Sequence, residues 1–223
     1  MAEEVPSGGP IFHVPIADTC RRERVKIPHI IVRCIAEVER RGLDDVGIYR
    51  VSGLTTQMNN LSEAFDTDSN STMLDDVEIN TVAGLLKLYL RQLPECLFTS
   101  KLYPEFIKTF FTLNNDTCTT SYDADLDLPP GTKAMMILFS SLPTVNKNII
   151  LYLLDHLVLV STHEAQNKMS LKNIATVFGP TLIHAEVSSP DCMMDVVTEA
   201  EILLFFLARV AQGLPIELPE TSE

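Results

Sequence analysis

Asn80 to Leu93 reads NTVAGLLKLYLRQL, and the spread of its apolar residues decides the fold. Wound at 3.6 residues per turn, Val82, Leu85, Leu86, Leu88, Tyr89, Leu90 and Leu93 cover most of the circumference, the pattern of a helix buried inside a protein. Asn80 offers a candidate N-cap and Pro94 a stop. The remaining arc, roughly 100° wide, carries Asn80, Ala83, Gly84, Lys87 and Arg91. Small residues let another surface approach closely, and Lys87 and Arg91, four apart, point the same way. Taken singly, Lys87 is equally well explained as a lysine lying its stem along apolar surface, and Arg91 as a cation favoured near a helix C-terminus. The two together, beside Ala83 and Gly84, favour a binding strip.

Working outward, helical periodicity recurs over Pro28–Arg41, Thr55–Phe65, Thr99–Leu113, Thr132–Leu142, Asn146–Ser161, Ser170–Phe178 and Thr198–Gln212. The last opens on a Thr198/Glu201 capping-box pattern and stops at Gly213. Strand-like alternation is scarce. The 223 residues can bury one sizeable core, so the expectation is a single all-α domain over residues 12–213. Residues 1–11 then form a flexible N-terminal tail and 214–223 a C-terminal one.

Upstream of the buried helix lies GIYRVSG, Gly47 to Gly53. Its two glycines can adopt backbone angles closed to other residues and so mark sharp turns. Ile48 and Val51 are apolar enough to anchor the loop, which leaves Arg50 on a stiff projection. A guanidinium is always charged and presents a planar fork of donors suited to phosphate oxygens. The alternative for a lone arginine is an ion pair with a neighbouring acid, here Asp44 or Asp45. Downstream, Asn167 to Leu182 reads NKMSLKNIATVFGPTL. Ser170 is a candidate N-cap for a short apolar helix ending at Gly179-Pro180. Asn173 lies in its first turn, where its amide presents both a donor and an acceptor or simply caps locally. Asn167 is expected to tie down the loop before that helix.

GIYRVSG, KLYLRQLPE and NKMSLKNIATVFGP, in that order and at these separations, resemble the GTPase-activating domain of Rho-family regulators, the RhoGAP family. The resemblance runs from about Phe12 to Gly213, and within the family it is closer to the breakpoint cluster region branch. It implies a helical bundle in which Arg50 is the arginine finger, while Lys87, Arg91 and Asn173 contact the GTPase. It also implies a GTP-bound Rho-family partner, Rac-like by the closeness to that branch, and a cytoplasmic protein in control of the actin cytoskeleton, recruited to membranes through that partner. Cys96 stands where the family usually has proline, and the acidic stretch Asn114–Gly131 is longer than the family pattern. Its expected form is a disordered surface loop. Arg50 being present, an activator ranks ahead of a catalytically weak module that only binds GTPases.

Composition excludes other classes. The formal net charge of −13 argues against nucleic acid as a partner. The basic run Arg21, Arg22, Arg24, Lys26 reads as a solvated linker, with a peripheral contact to anionic lipid as the lesser alternative. AEILLFFLARVA is too short for a membrane span and carries Glu201 and Arg209, so no stable insertion is expected. Five cysteines (Cys20, Cys34, Cys96, Cys118, Cys192) without C-x-x-C spacing read as free thiols in a reducing compartment, with Cys34 in the core. The histidines lack metal-ligand spacing. No metal and no cofactor are expected. No P-loop pattern occurs, and the chain is read as an activator whose partner carries the hydrolytic site, not as an enzyme. Asp75, Asp76 and Glu78 read as partners of a helix N-terminus rather than as a metal cluster.

Overall fold

The helix read as the centre of the molecule is its centre. In a computed structural model that describes residues 9–70, 72–115, 128–185 and 192–217, helix α4 (Ile79–Arg91) is enclosed by α2 (His29–Arg41), α3 (Thr55–Thr67) and α9 (Leu171–Leu182). Ile79, Val82, Leu85, Leu86, Tyr89 and Leu90 are all buried. Helix α2 shows why these helices form: Ile30, Ile31, Cys34, Ile35 and Val38 recur on one face and are buried, while Arg40 and Arg41 close its last turn. The remaining helices are α1 (Ile16–Glu23), α5 (Tyr103–Asn115), α6 (Pro130–Ser140), α7 (Thr144–Thr162), the single turn α8 (Glu164–Asn167) and α10 (Cys192–Ala211), with no strand among the described residues. Four helices, α1, α2, α6 and α7, are entered from a proline with φ between −53° and −56°. The ring holds the chain in an extended approach and loses no helical hydrogen bond there.

Two packing centres result. Around α4, the contacts of α2 with α7 and of α7 with α9 close the half that carries the GIYRVSG loop. At the other end, Phe98, Phe106, Phe139 and Phe206 meet, with Phe98–Phe106 and Phe139–Phe206 ring centroids both 5.2 Å apart, joining α5, α6 and α10. Helix α9 lies so close to α10 that a Cβ on Gly179 would sit 2.7 Å from the Ala200 Cα.

Several boundaries differ from the sequence reading, each for a physical reason. The cap of α4 is Glu78, whose carboxylate accepts from the backbone N–H groups of Asn80 and Thr81, so Asn80 is inside the helix. Helix α9 runs through Pro180 to Leu182. Proline forfeits one hydrogen bond, but the close contact of Gly179 with α10 holds the next turn in place, and Ile183 N–H closes it on the Gly179 carbonyl at 2.9 Å. Helix α10 starts at Cys192, and Thr198 is buried within it, so Thr198/Glu201 is not a cap. The basic run is not a linker: Arg21 and Arg22 belong to α1, whose Ile16, Thr19 and Cys20 face the core.

The core also extends past the expected domain limits, since Ile11 is 1% and Ile216 4% exposed. The Ile11 and Phe12 N–H groups both donate to Asp66 Oδ1. Cys20, Cys34 and Cys96 are free and buried. Residues 1–8 and 218–223 of the two tails, Cys118, and residues 116–127 of the acidic stretch lie outside the described residues, whereas Asn114 and Asn115 continue α5. Among the described residues, no single helix is long and apolar enough to cross a membrane.

Candidate functional site

The loop between α2 and α3 turns twice on left-handed residues, Gly47 (φ 75°) and Tyr49 (φ 68°). The first is natural for glycine. The second costs an L-residue about 1–2 kcal/mol, so the surroundings must hold it. The Arg50 and Val51 N–H groups both donate to the Gly47 carbonyl, at 2.7 and 2.8 Å. This tight turn points Ile48 and Tyr49 into the core, where both are fully buried, and Arg50 outward. Val51, expected as an anchor, is 47% exposed; Tyr49 takes that place. The chain then returns against the start of α4. Leu54 N–H donates to Thr81 Oγ1 at 3.1 Å, and a Cβ on Gly53 would fall 2.3 Å from the Thr81 Cα, which leaves room only for glycine.

Arg50 is exposed, and among the described residues its guanidinium has no ion-pair or hydrogen-bond partner. Both neighbouring acids, Asp44 and Asp45, are engaged elsewhere. Asp44 Oδ1 lies 2.7 Å from His163 Nδ1, and Asp45 Oδ1 accepts from Asn80 Nδ2 at 3.3 Å. Around the arginine, Val46, Val51 and Leu54 are exposed apolar residues, at 64%, 47% and 62%. Arg50 is thus an exposed cation on a held turn, with exposed aliphatic residues close to it in the chain.

Lys87 and Arg91 differ in their surroundings. The Lys87 ammonium donates to the Tyr49 carbonyl, the peptide group that leads into Arg50. Burial, and then the charge of Arg91, push its pKa below the usual lysine range. Arg91 is exposed and, among the described residues, makes no ion pair. The small residues of the strip are occupied from within the molecule. Asn80, Ala83 and Gly84 are buried, and a Cβ on Gly84 would lie 2.6 Å from Met58 Sδ of α3. Of the strip inferred from the sequence, Arg91 is exposed, Lys87 is turned to the Tyr49 carbonyl, and the small residues face the loop and α3.

Asn167, expected to tie down only its own loop, joins two others. Its Nδ2 donates to the Leu43 and Val160 carbonyls at 2.7 and 2.8 Å, its Oδ1 accepts from Met169 N–H at 2.7 Å, and its backbone carbonyl accepts from Gly47 N–H at 2.8 Å. Asn173 is half-exposed in the first turn of α9. Its N–H takes the Ser170 cap at 3.2 Å and its Nδ2 reaches the Lys168 carbonyl at 3.1 Å. Its amide oxygen accepts no bond among the described residues. The structure therefore joins Arg50 and Lys87 through Tyr49, and links the loop leading into the helix of Asn173 to the arginine loop through Asn167. Val46, Tyr49 and Leu54 were not singled out from the sequence; the alternation of buried and exposed residues around the double turn gives no periodic signal. No group of three or more His, Cys, Asp or Glu among the described residues could hold a metal ion.

The model of the RhoGAP domain family matches residues 28–187. The chain is 42% identical over 221 residues to the human breakpoint cluster region protein, covering 92% of this chain and 16% of that protein. It is 41% identical over 221 residues to the active breakpoint cluster region-related protein of Xenopus laevis, covering 94% and 24%. It thus spans less than a quarter of the length of these curated relatives. Among solved structures, the crystal structure of human Rho GTPase activating protein 15 superimposes with a TM-score of 0.78 at 29% identity, covering 91% of each chain.

Proposed function

This chain belongs to the RhoGAP domain family, and from that premise we propose that it accelerates GTP hydrolysis by a Rho-family GTPase, Rac-like in type, by inserting Arg50 into the partner's nucleotide site. The observation that carries this reading is an exposed guanidinium, without a partner among the described residues, on a turn held by Lys87, Asn167 and Thr81. Transfer of the γ-phosphoryl group to water develops charge on the phosphoryl and bridging oxygens, and a cation positioned there lowers the barrier. An arginine supplied in trans is worth roughly 10³–10⁵ in rate. An arginine whose backbone turn is already held loses less freedom on docking, so more of its interaction appears in the transition state. The partner brings nucleotide, Mg²⁺ and the water-positioning residue. Arg91 supplies a further exposed cation to the partner, Asn173 a free amide oxygen, and Val46, Val51 and Leu54 an apolar rim. The protein works in the cytoplasm, at membrane surfaces that its partner occupies.

Single-turnover GTP hydrolysis by Rac-, Cdc- and Rho-type GTPases tests both levels of the reading. The expected result is acceleration, with kcat/KM larger for the Rac-type protein than for the Rho-type one, since discrimination is a ratio of those values. Binding of GTP-bound partners without acceleration would instead identify a recognition module. A Rho-type preference would overturn the Rac-like assignment and leave the activator standing.

A further inference from the structure

Tyr49 is held at both ends. Its carbonyl accepts from Lys87, and its hydroxyl lies 2.6 Å from Nε2 of His156 on α7. The other imidazole nitrogen, Nδ1, lies 2.8 Å from Oε1 of Glu39 on α2. The ring stacks edge-on between Phe178, at 4.9 Å between centroids, and His156, at 5.7 Å. Tyr49 and His156 are buried, while the Glu39 carboxylate is 40% exposed. One chain of hydrogen bonds thus runs from a surface carboxylate through the core to the residue immediately before Arg50.

We propose, on the reading of Arg50 as the arginine supplied in trans, that His156 is a positioning residue for it: through the Tyr49 hydroxyl it fixes the left-handed turn from which the guanidinium projects, and Glu39 fixes the imidazole. The chemistry of the chain is complete with a neutral ring. Tyr49 O–H donates to Nε2, and Nδ1–H donates to the Glu39 carboxylate, which selects that tautomer. Burial, opposed by Glu39, holds the His156 pKa below the usual histidine range and keeps the ring in that form. A bulky residue with positive φ persists only where its surroundings over-determine it. Here the side chain is fixed by His156 and Phe178 and the main chain by Lys87. Release of the hydroxyl frees the ring to swing, and with it the peptide that orients Arg50. Arginine can then still meet the GTPase, but less often in the productive geometry.

The test compares Tyr49→Phe, which removes one oxygen, with His156→Leu, His156→Gln and Glu39→Ala, alongside the unaltered protein. Single-turnover hydrolysis is followed as the activator is titrated. In Tyr49→Phe and His156→Leu the maximal rate falls by about 10-fold, inside the roughly 10²-fold that a misplacement near 1 Å can cost. The half-saturating concentration stays within about twofold, because the contact surface is intact. The double variant, Tyr49→Phe with His156→Leu, is no slower than the slower of the two single ones. His156→Gln, which keeps an acceptor for the hydroxyl, recovers most of the rate. Glu39→Ala, made at the solvent side of the chain, shows part of the loss without emptying the core. Hydrogen exchange of the Arg50 and Val51 amides in the free protein, both bonded to the Gly47 carbonyl, quickens in Tyr49→Phe and His156→Leu and reads the loop independently of catalysis. An unchanged maximal rate in folded Tyr49→Phe, or losses that add in the double variant, would overturn the role of His156. No stimulation by the unaltered protein would instead sink the activator reading, and the positioning role with it.

Discussion

Lys87 and Arg91 stand one helical turn apart on α4, yet their surroundings give them different work. Lys87 is bonded to the Tyr49 carbonyl and half-buried; Arg91 is exposed with no ion pair among the described residues. Removing the lysine strips a charge-assisted bond from the loop that carries Arg50. Lys87→Ala is therefore expected to lower stability by about 1–3 kcal/mol, a fall in Tm of about 2–4 °C for each kcal/mol at this chain length, together with the maximal rate of stimulated hydrolysis. Arg91→Ala is expected to leave Tm in place and to weaken capture of the GTP-bound partner by about 1–3 kcal/mol, through loss of a charged contact. Thermal melts beside pull-down titrations separate the two. Equal losses of Tm in both variants would contradict the division. From the sequence the cations could be found but not told apart, because helical spacing places side chains on a face without showing what lies over it. The same limit hid Tyr49. Nothing in GIYRVSG reveals that a left-handed turn puts the tyrosine inside and the valine outside.

Among the elements, α4 was the most legible and its cap the least. An apolar circumference can come only from burial, so the central helix follows from composition and period alone. Caps depend on which of several polar residues reaches back, and Glu78 reaches further than Asn80. Its carboxylate takes the N–H groups of Asn80 and Thr81 at 3.0 and 2.9 Å, as well as Asn80 Nδ2 and Thr81 Oγ1. Partial burial pushes its pKa up, but these four bonds outweigh it and leave the group below its ordinary value of 4.5. A carboxylate with a depressed folded pKa stabilises the fold above its unfolded pKa, and that contribution disappears as pH falls through the folded value. Glu78→Ala is thus expected to cost about 1–2 kcal/mol at neutral pH, with the difference from the unaltered protein shrinking below about pH 4. Denaturant melts at pH 7 and pH 3 measure it; a difference independent of pH would refute the cap. The cap of α9 at Ser170 was legible, but its C-terminal end and the start of α10 were unreadable for a related reason. Gly179-Pro180 is a stop signal locally, and only the close passage of α10 at Ala200 makes it a continuing turn.

At the scale of the whole molecule, the helices form a frame for one loop. Contacts from α4, α7, α8 and α9 converge on residues 43–54 and leave Arg50 exposed. Helices α1 and α10 lie outside the stretch matched by the family, yet α10 packs along α9 and α1 against α7, so they complete the core. Against the net charge of −13, an arginine unpaired among the described residues is all the more conspicuous, since the nearby carboxylates of Asp44 and Asp45 are taken by His163 and Asn80. The claim that joins fold to function is that Arg50 acts on the partner's reaction and not on this protein's stability. Single-turnover GTP hydrolysis at saturating activator, comparing the unaltered protein with Arg50→Ala and Arg50→Lys, tests it most directly. The expected result is loss of most of a stimulation of roughly 10³–10⁵ in both variants, because an ammonium cannot reproduce the planar fork, with Tm and binding of the GTP-bound partner nearly unchanged. Stimulation by Arg50→Ala that stays within a few-fold of the unaltered protein would contradict it.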